Sequence, residues 1–265
     1  MGIGRRFIQT QARWCEHFDV VFPRKWKVDG NREFTHRLTG EYLFPKAVVY
    51  DIGGGKQPLI ARELKDSLGL RVVGVDIDQG ELAAAPPGCY DRADCADIQN
   101  YKSPAEADIV ICQALLEHVR DSEKALRSIA GTLKPGGVAL IFVPSKNAVF
   151  ARLNRIIPER LKRMLLYTLY PQTHSKQGFP AFYNRCTPAG MVAAASRQGL
   201  QVEAQHLYFQ SKYFSFLLPL YAAWRLWQVV YYFFARDEAA ETFTIVLRKP
   251  LACESGNSAD SGIAA

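Results

Sequence analysis

Paired cysteines are missing from this chain. Its six cysteines, Cys15, Cys89, Cys95, Cys112, Cys186 and Cys253, are scattered with no C-x-x-C spacing, so no disulfide or redox framework is written here. No cleavable apolar segment opens the sequence, and Arg6 stands where a myristoylation signal wants Ser or Thr. These absences predict a reducing, cytoplasmic setting. Repeats and long linkers are lacking too. No Asn-Pro-Pro-Tyr motif occurs, and no basic stripe with spaced stacking aromatics lies outside one apolar stretch, which counts against nucleic acid as the partner.

What remains is ample for a core. The 265 residues are 48% hydrophobic, and one domain with insertions is the expectation. A net charge of +7 permits attraction to anionic lipids or to nucleic acid without choosing between them.

The organising stretch is Val48-Val49-Tyr50-Asp51-Ile52-Gly53-Gly54-Gly55-Lys56-Gln57-Pro58. An apolar run ends in an acid, a three-glycine turn and a proline suited to the first position of a helix. Glycines let the backbone take positive φ and approach a ligand closely, and free N–H groups at a helix start favour anionic or polar ligand groups. Leu59, Ile60, Leu64 and Leu68 continue at helical spacing, so a helix presents the loop, and Gly69 supplies the stop. A dinucleotide fingerprint would need its third glycine where Pro58 stands. Asp51 at the strand end suits a ligand carrying an ammonium group, and Asp76, closing Val72-Val73-Gly74-Val75-Asp76, suits ribose hydroxyls. A ribose plus an ammonium suggests S-adenosylmethionine. Lys56 is read either as a solvated lysine or as a partner of the methionine carboxylate.

From these residues the chain resembles the class I S-adenosylmethionine-dependent methyltransferases. Asp94 followed by Asp97-Ile98 is similar to the segment after the third strand of that family, where an acid meets the adenine amino group. Ala107 to Cys112, Leu116-Glu117-His118-Val119 and Leu133-Lys134-Pro135-Gly136-Gly137 are similar to its fourth strand, the following turn and the entry to strand five. The resemblance implies a Rossmann-like seven-stranded sheet of order 3-2-1-4-5-7-6 with strand seven antiparallel. It implies a cofactor set of Asp51, Gly53, Gly54, Gly55, Asp76, Ile77, Asp94, Cys95 and Gln113. Only Cys89 to Ala93 reads as a third strand, Val138 to Pro144 reads as the fifth, and Asp121 or Ser122 caps the helix between strands four and five.

Glu117 and His118 fall at the mouth of the site, because open α/β sheets bind ligands beyond the C-terminal strand ends. His118 is read as a base or as a structural histidine, and Glu117 as a substrate contact. The run Cys112 to Val119 is similar to that of ubiquinone-biosynthesis O-methyltransferases. That group carries a further acid where this chain has Ala114, and its proposed metal site uses it, so no metal is expected here. His174 and the stretch Gly178 to Arg185 resemble the segment before the last major helix of small-molecule methyltransferases. That likeness implies His174 and Arg185 as substrate contacts and Tyr183 as a contact with a part in the chemistry.

Three stretches depart from the minimal pattern. Residues 1–45, basic and aromatic, are read as a cap over the cofactor pocket or as a membrane or substrate contact. Residues 145–186 insert after strand five, with basic residues Arg152, Arg155, Arg160, Lys162 and Arg163 that form either a solvated face or a site for anionic head groups. Residues 210–238 insert between strands six and seven. From Tyr213 to Ala235 their only charge is Arg225, and aromatics crowd the segment. Its length would allow a membrane span, but strand seven must return to the same sheet. The expectation is a hairpin broken around Pro219, lying in a membrane interface, with an apolar lid or dimer face as the alternative. The tail from Cys253 is expected to be disordered.

The combined reading is a methyltransferase domain over 46–250, acting on a small, amphiphilic or lipid-linked acceptor at a membrane surface. The rivals are a nucleic-acid methyltransferase, a nicotinamide enzyme and a non-catalytic cofactor-binding scaffold.

Overall fold

The computed structural model of the protein describes residues 3–156 and 180–251. His174, Arg160, Lys162, Arg163 and the tail from Cys253 lie outside the described residues. Seven short runs, of which the first, second, fourth and seventh are rich in β-branched side chains, form β1 (Val48–Ile52), β2 (Arg71–Asp76), β3 (Arg92–Cys95), β4 (Ala107–Gln113), β5 (Leu133–Pro144), β6 (Gln201–Tyr208) and β7 (Thr242–Arg248). They make one sheet of order β3-β2-β1-β4-β5-β7-β6, with β7 antiparallel to both neighbours. The expected architecture is therefore the observed one.

Helices cover both faces. In chain order they are α1 (Ile3–Phe18), α2 (Gly30–Glu33), α3 (Thr39–Tyr42), α4 (Arg62–Leu68), α5 (Gln79–Ala83), α6 (Ser122–Thr132), α7 (Val149–Ile156), α8 (Pro188–Arg197) and α9 (Leu218–Ala235), with a π-helical turn Phe34–Leu38 between α2 and α3. On one face Ala125, Leu126 and Ile129 of α6 and Met191, Ala194 and Ala195 of α8 pack against Val110, Ala139, Ile141 and Ile245. On the other, Phe34 and Ile60 pack against Val49, Ile109, Leu140 and Val246. Asp121 caps α6 by accepting from the Glu123 and Lys124 amides, and Thr187 caps α8 by accepting from the Gly190 amide.

Three local expectations are corrected. The third strand starts at Arg92, not Cys89, because Asp91 is held to Val72 by its own amide at 2.8 Å and by its carboxylate at 2.7 Å. Pairing of Val73 with Arg92 follows from that anchor. Pro58 does not open a helix. Asp51 Oδ2 accepts from the Leu59 amide at 2.9 Å and holds residues after the glycines off a helical path, so α4 begins only at Arg62. Leu64 consequently faces solvent, while Ile60 is buried.

Pro219 does not break a hairpin either. It sits in the first turn of α9, where a missing N–H leaves nothing unsatisfied, and the helix runs unbroken for 18 residues. Both of its faces carry aromatic side chains. Tyr221, Trp224, Arg225 and Gln228 face inward, while Leu226, Trp227, Val230, Phe233 and Phe234 are exposed. Arg225 is wholly buried in an ion pair with Asp19 at 2.9 Å, so the one charge of the segment ties α9 to the residues after α1. Among the described residues no helix is long and apolar enough to cross a membrane.

Candidate active site

The loop after β1 is built by its three glycines in two different ways. Gly53 and Gly55 have φ of +80° and +47°, a region that favours glycine. Gly54 is there for space: a Cβ on it would lie 2.5 Å from Asp51 Oδ2 and press on the Tyr90 hydroxyl. Tyr90 is a residue the sequence reading missed. Its hydroxyl stands 3.2 Å from the Gly55 carbonyl and 3.4 Å from Asp51 Oδ2, and its ring fills the space beside Gly74. A glycine in the interior of β2 was the available signal, since it marks close approach of another group.

A cavity of about 300 Å³ opens beyond the C-terminal ends of β4 and β5. Phe142, Phe150 and Tyr213 give it aromatic walls, Ala114, Glu117 and Thr242 contribute to its lining, and Asp29 and Lys212 line it too. The Phe150 and Tyr213 rings stack with centroids 4.0 Å apart. Residues before β1 close it from above. Gly30 crosses β6 and β7 so tightly that a Cβ would lie 2.7 Å from Thr242 Oγ1 and closer still to the Tyr208 ring. Asn31 and Thr35 accept from Gln113 Nε2 at 2.7 and 3.1 Å, which fastens this cover to the end of β4.

A strand-loop seat beside a covered apolar cavity is the layout of a two-ligand enzyme, and comparison with known proteins decides the family. The profile of the methyltransferase-domain family matches residues 24–205, more than half of the chain. The chain belongs to that family. Among curated relatives, the ubiquinone biosynthesis O-methyltransferase of Pseudoalteromonas translucida (strain TAC 125) is 25% identical over 71% of this chain and 81% of its own length. That of Idiomarina loihiensis is 27% identical over 69% and 80%. Among solved structures, a S-adenosylmethionine-dependent methyltransferase of Methanosarcina mazei shares the fold with a TM-score of 0.52 at 18% identity, covering 82% of this chain and 98% of the other. Phosphoethanolamine N-methyltransferase 2 of Haemonchus contortus, solved with S-adenosylmethionine, gives 0.51 at 17% identity over 94% of this chain and 60% of the other.

This methyltransferase uses S-adenosylmethionine, and the β1 loop fits that molecule. The glycine turn leaves open backbone where a side chain would intrude, and two carboxylates, Asp51 and Asp76, stand on neighbouring strand ends. Burial pushes Asp51 up to about 6 and raises Asp76 as well, the state of acids that lack a cation. Ile77 is exposed at the end of β2, and the Cys95 thiol lies 3.6 Å from its carbonyl. Lys56 resolves as the partner of Glu81 at 2.7 Å.

Three of the sequence-predicted residues, Asp94, Arg185 and His118, are not among the residues lining the cavity. Asp94 accepts from the Tyr101 hydroxyl at 2.5 Å and pairs with Arg92 at 3.0 Å, so its carboxylate is already engaged within the sheet edge. Arg185 is exposed, with φ of +56°, and pairs with Glu123 at 3.2 Å on the surface. It does not reach the cavity. His118 has Nδ1 3.0 Å from the Pro180 carbonyl and Nε2 3.7 Å from Glu117 Oε1, and among the described residues it does not line the cavity. The 3-10 turn Leu116–His118 rotates successive side chains apart, so Glu117 rather than His118 forms the wall. Tyr183 is buried at φ of +52°, its amide donating to the Glu117 carbonyl at 3.0 Å, and burial raises its phenol.

Three buried carboxyls give the protein a pH signature. Burial raises Asp51 to about 6, Glu241 to about 7 and Glu117 to about 8. Each folded value exceeds the unfolded one, so the stability these groups contribute is full below about pH 4 and is lost as pH climbs through 6 to 8. The ligand-free methyltransferase is expected to resist urea better at pH 5.5 than at pH 8.5. Glu241→Gln should shrink that difference, and equal midpoints at the two pH values would contradict the assignment.

Proposed function

We propose that the protein transfers a methyl group from S-adenosylmethionine to a hydroxyl of an amphiphilic, quinone-like small molecule at a membrane surface. The observation that carries this is the aromatic cavity closed by residues 29–35, with a single buried acid, Glu117, in its wall beside the cofactor loop. The curated relatives named ubiquinone biosynthesis O-methyltransferase support oxygen as the acceptor atom.

Asp51 would hold the ammonium group of the cofactor and Asp76 its ribose, with Gly53, Gly54 and Gly55 giving close backbone approach. Ile77 and Cys95 would flank the adenine, while Gln113 joins the cover to β4 and Asp94 braces β3 through Tyr101 and Arg92. When bound, S-adenosylmethionine supplies an activated methyl on a sulfonium. The protein's part is alignment and exclusion of water. Residues 1–45 act as the cap: Asp19, Trp26, Gly30, Asn31 and Thr35 link it to α9, the sheet and Gln113.

Membrane contact is assigned to α9. Its exposed residues Leu226, Trp227, Val230, Phe233 and Phe234 recur at i, i+1, i+4, i+7 and i+8, one apolar face turned outward. Lys25 and Arg236 lie over Tyr232, and Arg152 over Tyr231, so cations flank that face on aromatic rings. This is the pattern of a helix lying in an interface.

The test is incubation with methyl-labelled S-adenosylmethionine and a membrane-containing extract, followed by phase separation. Label is expected in the organic phase, and Trp227→Glu with Phe234→Glu should cut it at least about tenfold, since each buried aromatic contributes about 1.5–3 kcal/mol. Binding of S-adenosylhomocysteine should be unchanged. Label confined to the aqueous phase would remove the membrane role, label in nuclease-sensitive precipitate would favour nucleic acid, and no label would favour a non-catalytic scaffold.

A further inference from the structure

Glu117 is the most unusual side chain of the cavity. It is 4% exposed, and its Oε2 has no hydrogen-bond partner among the described residues. Its main chain is nevertheless fixed from two directions: the carbonyl accepts from the Phe182 and Tyr183 amides at 2.7 and 3.0 Å. A buried polar atom left without a partner costs about 1–3 kcal/mol, so a group held this firmly in that state is set up for a ligand. The titratable groups around it are Cys112 on β4, Tyr183 and Cys186 on the segment after 180, Tyr213 beyond β6 and His118 beside it, while Asp29 and Lys212, paired with each other, line the same cavity. Among the described residues no lysine or arginine pairs with it.

The neighbouring position decides what kind of partner is wanted. Where the ubiquinone-biosynthesis O-methyltransferases have an acid, this chain presents the methyl group of Ala114, held at φ of +49° in the cavity wall. Ala114 supplies no carboxylate, and Asp29, the other acid lining the cavity, is paired with Lys212 at 3.4 Å. Among the described residues no group of three or more His, Cys, Asp or Glu side chains is arranged to hold one. The residues present do not fit the metal that the resemblance brings with it.

We infer that Glu117 is the catalytic base, accepting through Oε2 the proton of an acceptor hydroxyl in the cavity, with no divalent metal taking part. The inference rests on the reading of the chain as an O-methyltransferase. In the step, the acceptor O–H bond breaks and its proton passes to Glu117. The oxygen electron pair forms the new O–CH3 bond, and the C–S pair of the sulfonium stays on sulfur. The product is a methyl ether with a neutral thioether and a protonated Glu117, which returns its proton to solvent on opening. Burial that lifts the carboxyl to about 8 brings it within about two units of a phenol, the match a general base needs.

The test uses the full chain with an alkyl-substituted catechol as acceptor probe, at pH 6 to 9.5, in EDTA and in magnesium chloride. The wild-type rate is expected to be the same in both media and to rise with pH to a plateau above about 8. Glu117→Gln should lower kcat about 10²- to 10⁴-fold without changing S-adenosylhomocysteine affinity, and Glu117→Asp should restore part of it. Infrared spectra give a readout independent of turnover: a carboxylic acid band missing from Glu117→Gln, which shifts when catechol is added without cofactor. Loss of wild-type activity in EDTA would overturn the inference, as would a Glu117→Gln enzyme with an unaltered rate and pH profile. A wild type that never methylates the catechol counts against the O-methyltransferase reading. The band then decides the present inference, and its absence, or its indifference to catechol, overturns it.

Discussion

Replacing Arg225 with alanine is expected to destabilise the protein by about 3–5 kcal/mol, the usual cost of stripping one partner from a buried ion pair. The guanidinium is wholly buried and donates four hydrogen bonds. Nε donates to Asp19 Oδ1 at 2.9 Å, Nη1 to the Phe209 carbonyl at 2.8 Å and to Gln228 at 3.0 Å, and Nη2 to the Trp26 carbonyl at 2.9 Å. Its plane also lies 4.2 Å from the Phe22 ring centroid. Alanine would leave Asp19 buried with only the Tyr221 hydroxyl and the Gln210 amide, and the Trp26 carbonyl with nothing in place of Nη2. Lysine cannot substitute, because one ammonium does not reach acceptors spread around a planar fork. Urea unfolding followed by tryptophan fluorescence measures the effect. Arg225→Met combined with Asp19→Asn should recover much of the loss, since it removes both charges at once. A single variant within about 1 kcal/mol of wild type would mean that the pair does not hold the N-terminal cover onto α9.

That pair also explains why the sequence misleads about residues 210–238. Periodicity assigns apolar side chains to the core, but here the cover brings Asp19 and the Trp26 carbonyl, and the residue after β6 brings the Phe209 carbonyl, to the inner face of α9. The helix answers with Arg225 and Gln228 beside Tyr221 and Trp224, and Trp227, Phe233 and Phe234 are left outside. Nothing local in the sequence announces a partner about 200 positions away. The sheet, by contrast, was legible except at its poorly patterned third strand, because strand runs, glycine stops and N-caps such as Asp121 are short-range features. The same division runs through the site. Asp51, Asp76 and the glycine turn were readable from one stretch each. Tyr90, the tight crossing at Gly30 and the capture of Asp94 by Tyr101 depend on chain crossings, and of these only Gly74 left a trace. Arg185, at φ of +56°, pairs with Glu123 on the surface and is not among the residues lining the cavity.

Gly54→Val is expected to weaken binding of S-adenosylmethionine or S-adenosylhomocysteine roughly a hundredfold, about 2.7 kcal/mol, while leaving the fold intact. Gly54 differs from its neighbours in not needing a left-handed backbone, so the penalty is one of space alone. A Cβ there would lie 2.5 Å from Asp51 Oδ2 and 2.7 Å from its carboxyl carbon. The carboxylate must then swing, and its bond to the Leu59 amide, which shapes the loop, is lost with it. Both changes fall on the residue assigned to the cofactor's ammonium. The sheet beneath is untouched, because Asp51 keeps its strand pairing to Gly74 and Ile111 through the main chain. Isothermal titration with S-adenosylhomocysteine, alongside circular dichroism, separates the two effects. Tyr90→Phe serves as the control: it frees space at the hydroxyl but leaves Asp51 in the way, so Gly54→Val with Tyr90→Phe should recover only part of the affinity. Full recovery would transfer the steric role to Tyr90, and affinity within about threefold of wild type in the single variant would mean that the glycine turn is not the seat of the cofactor.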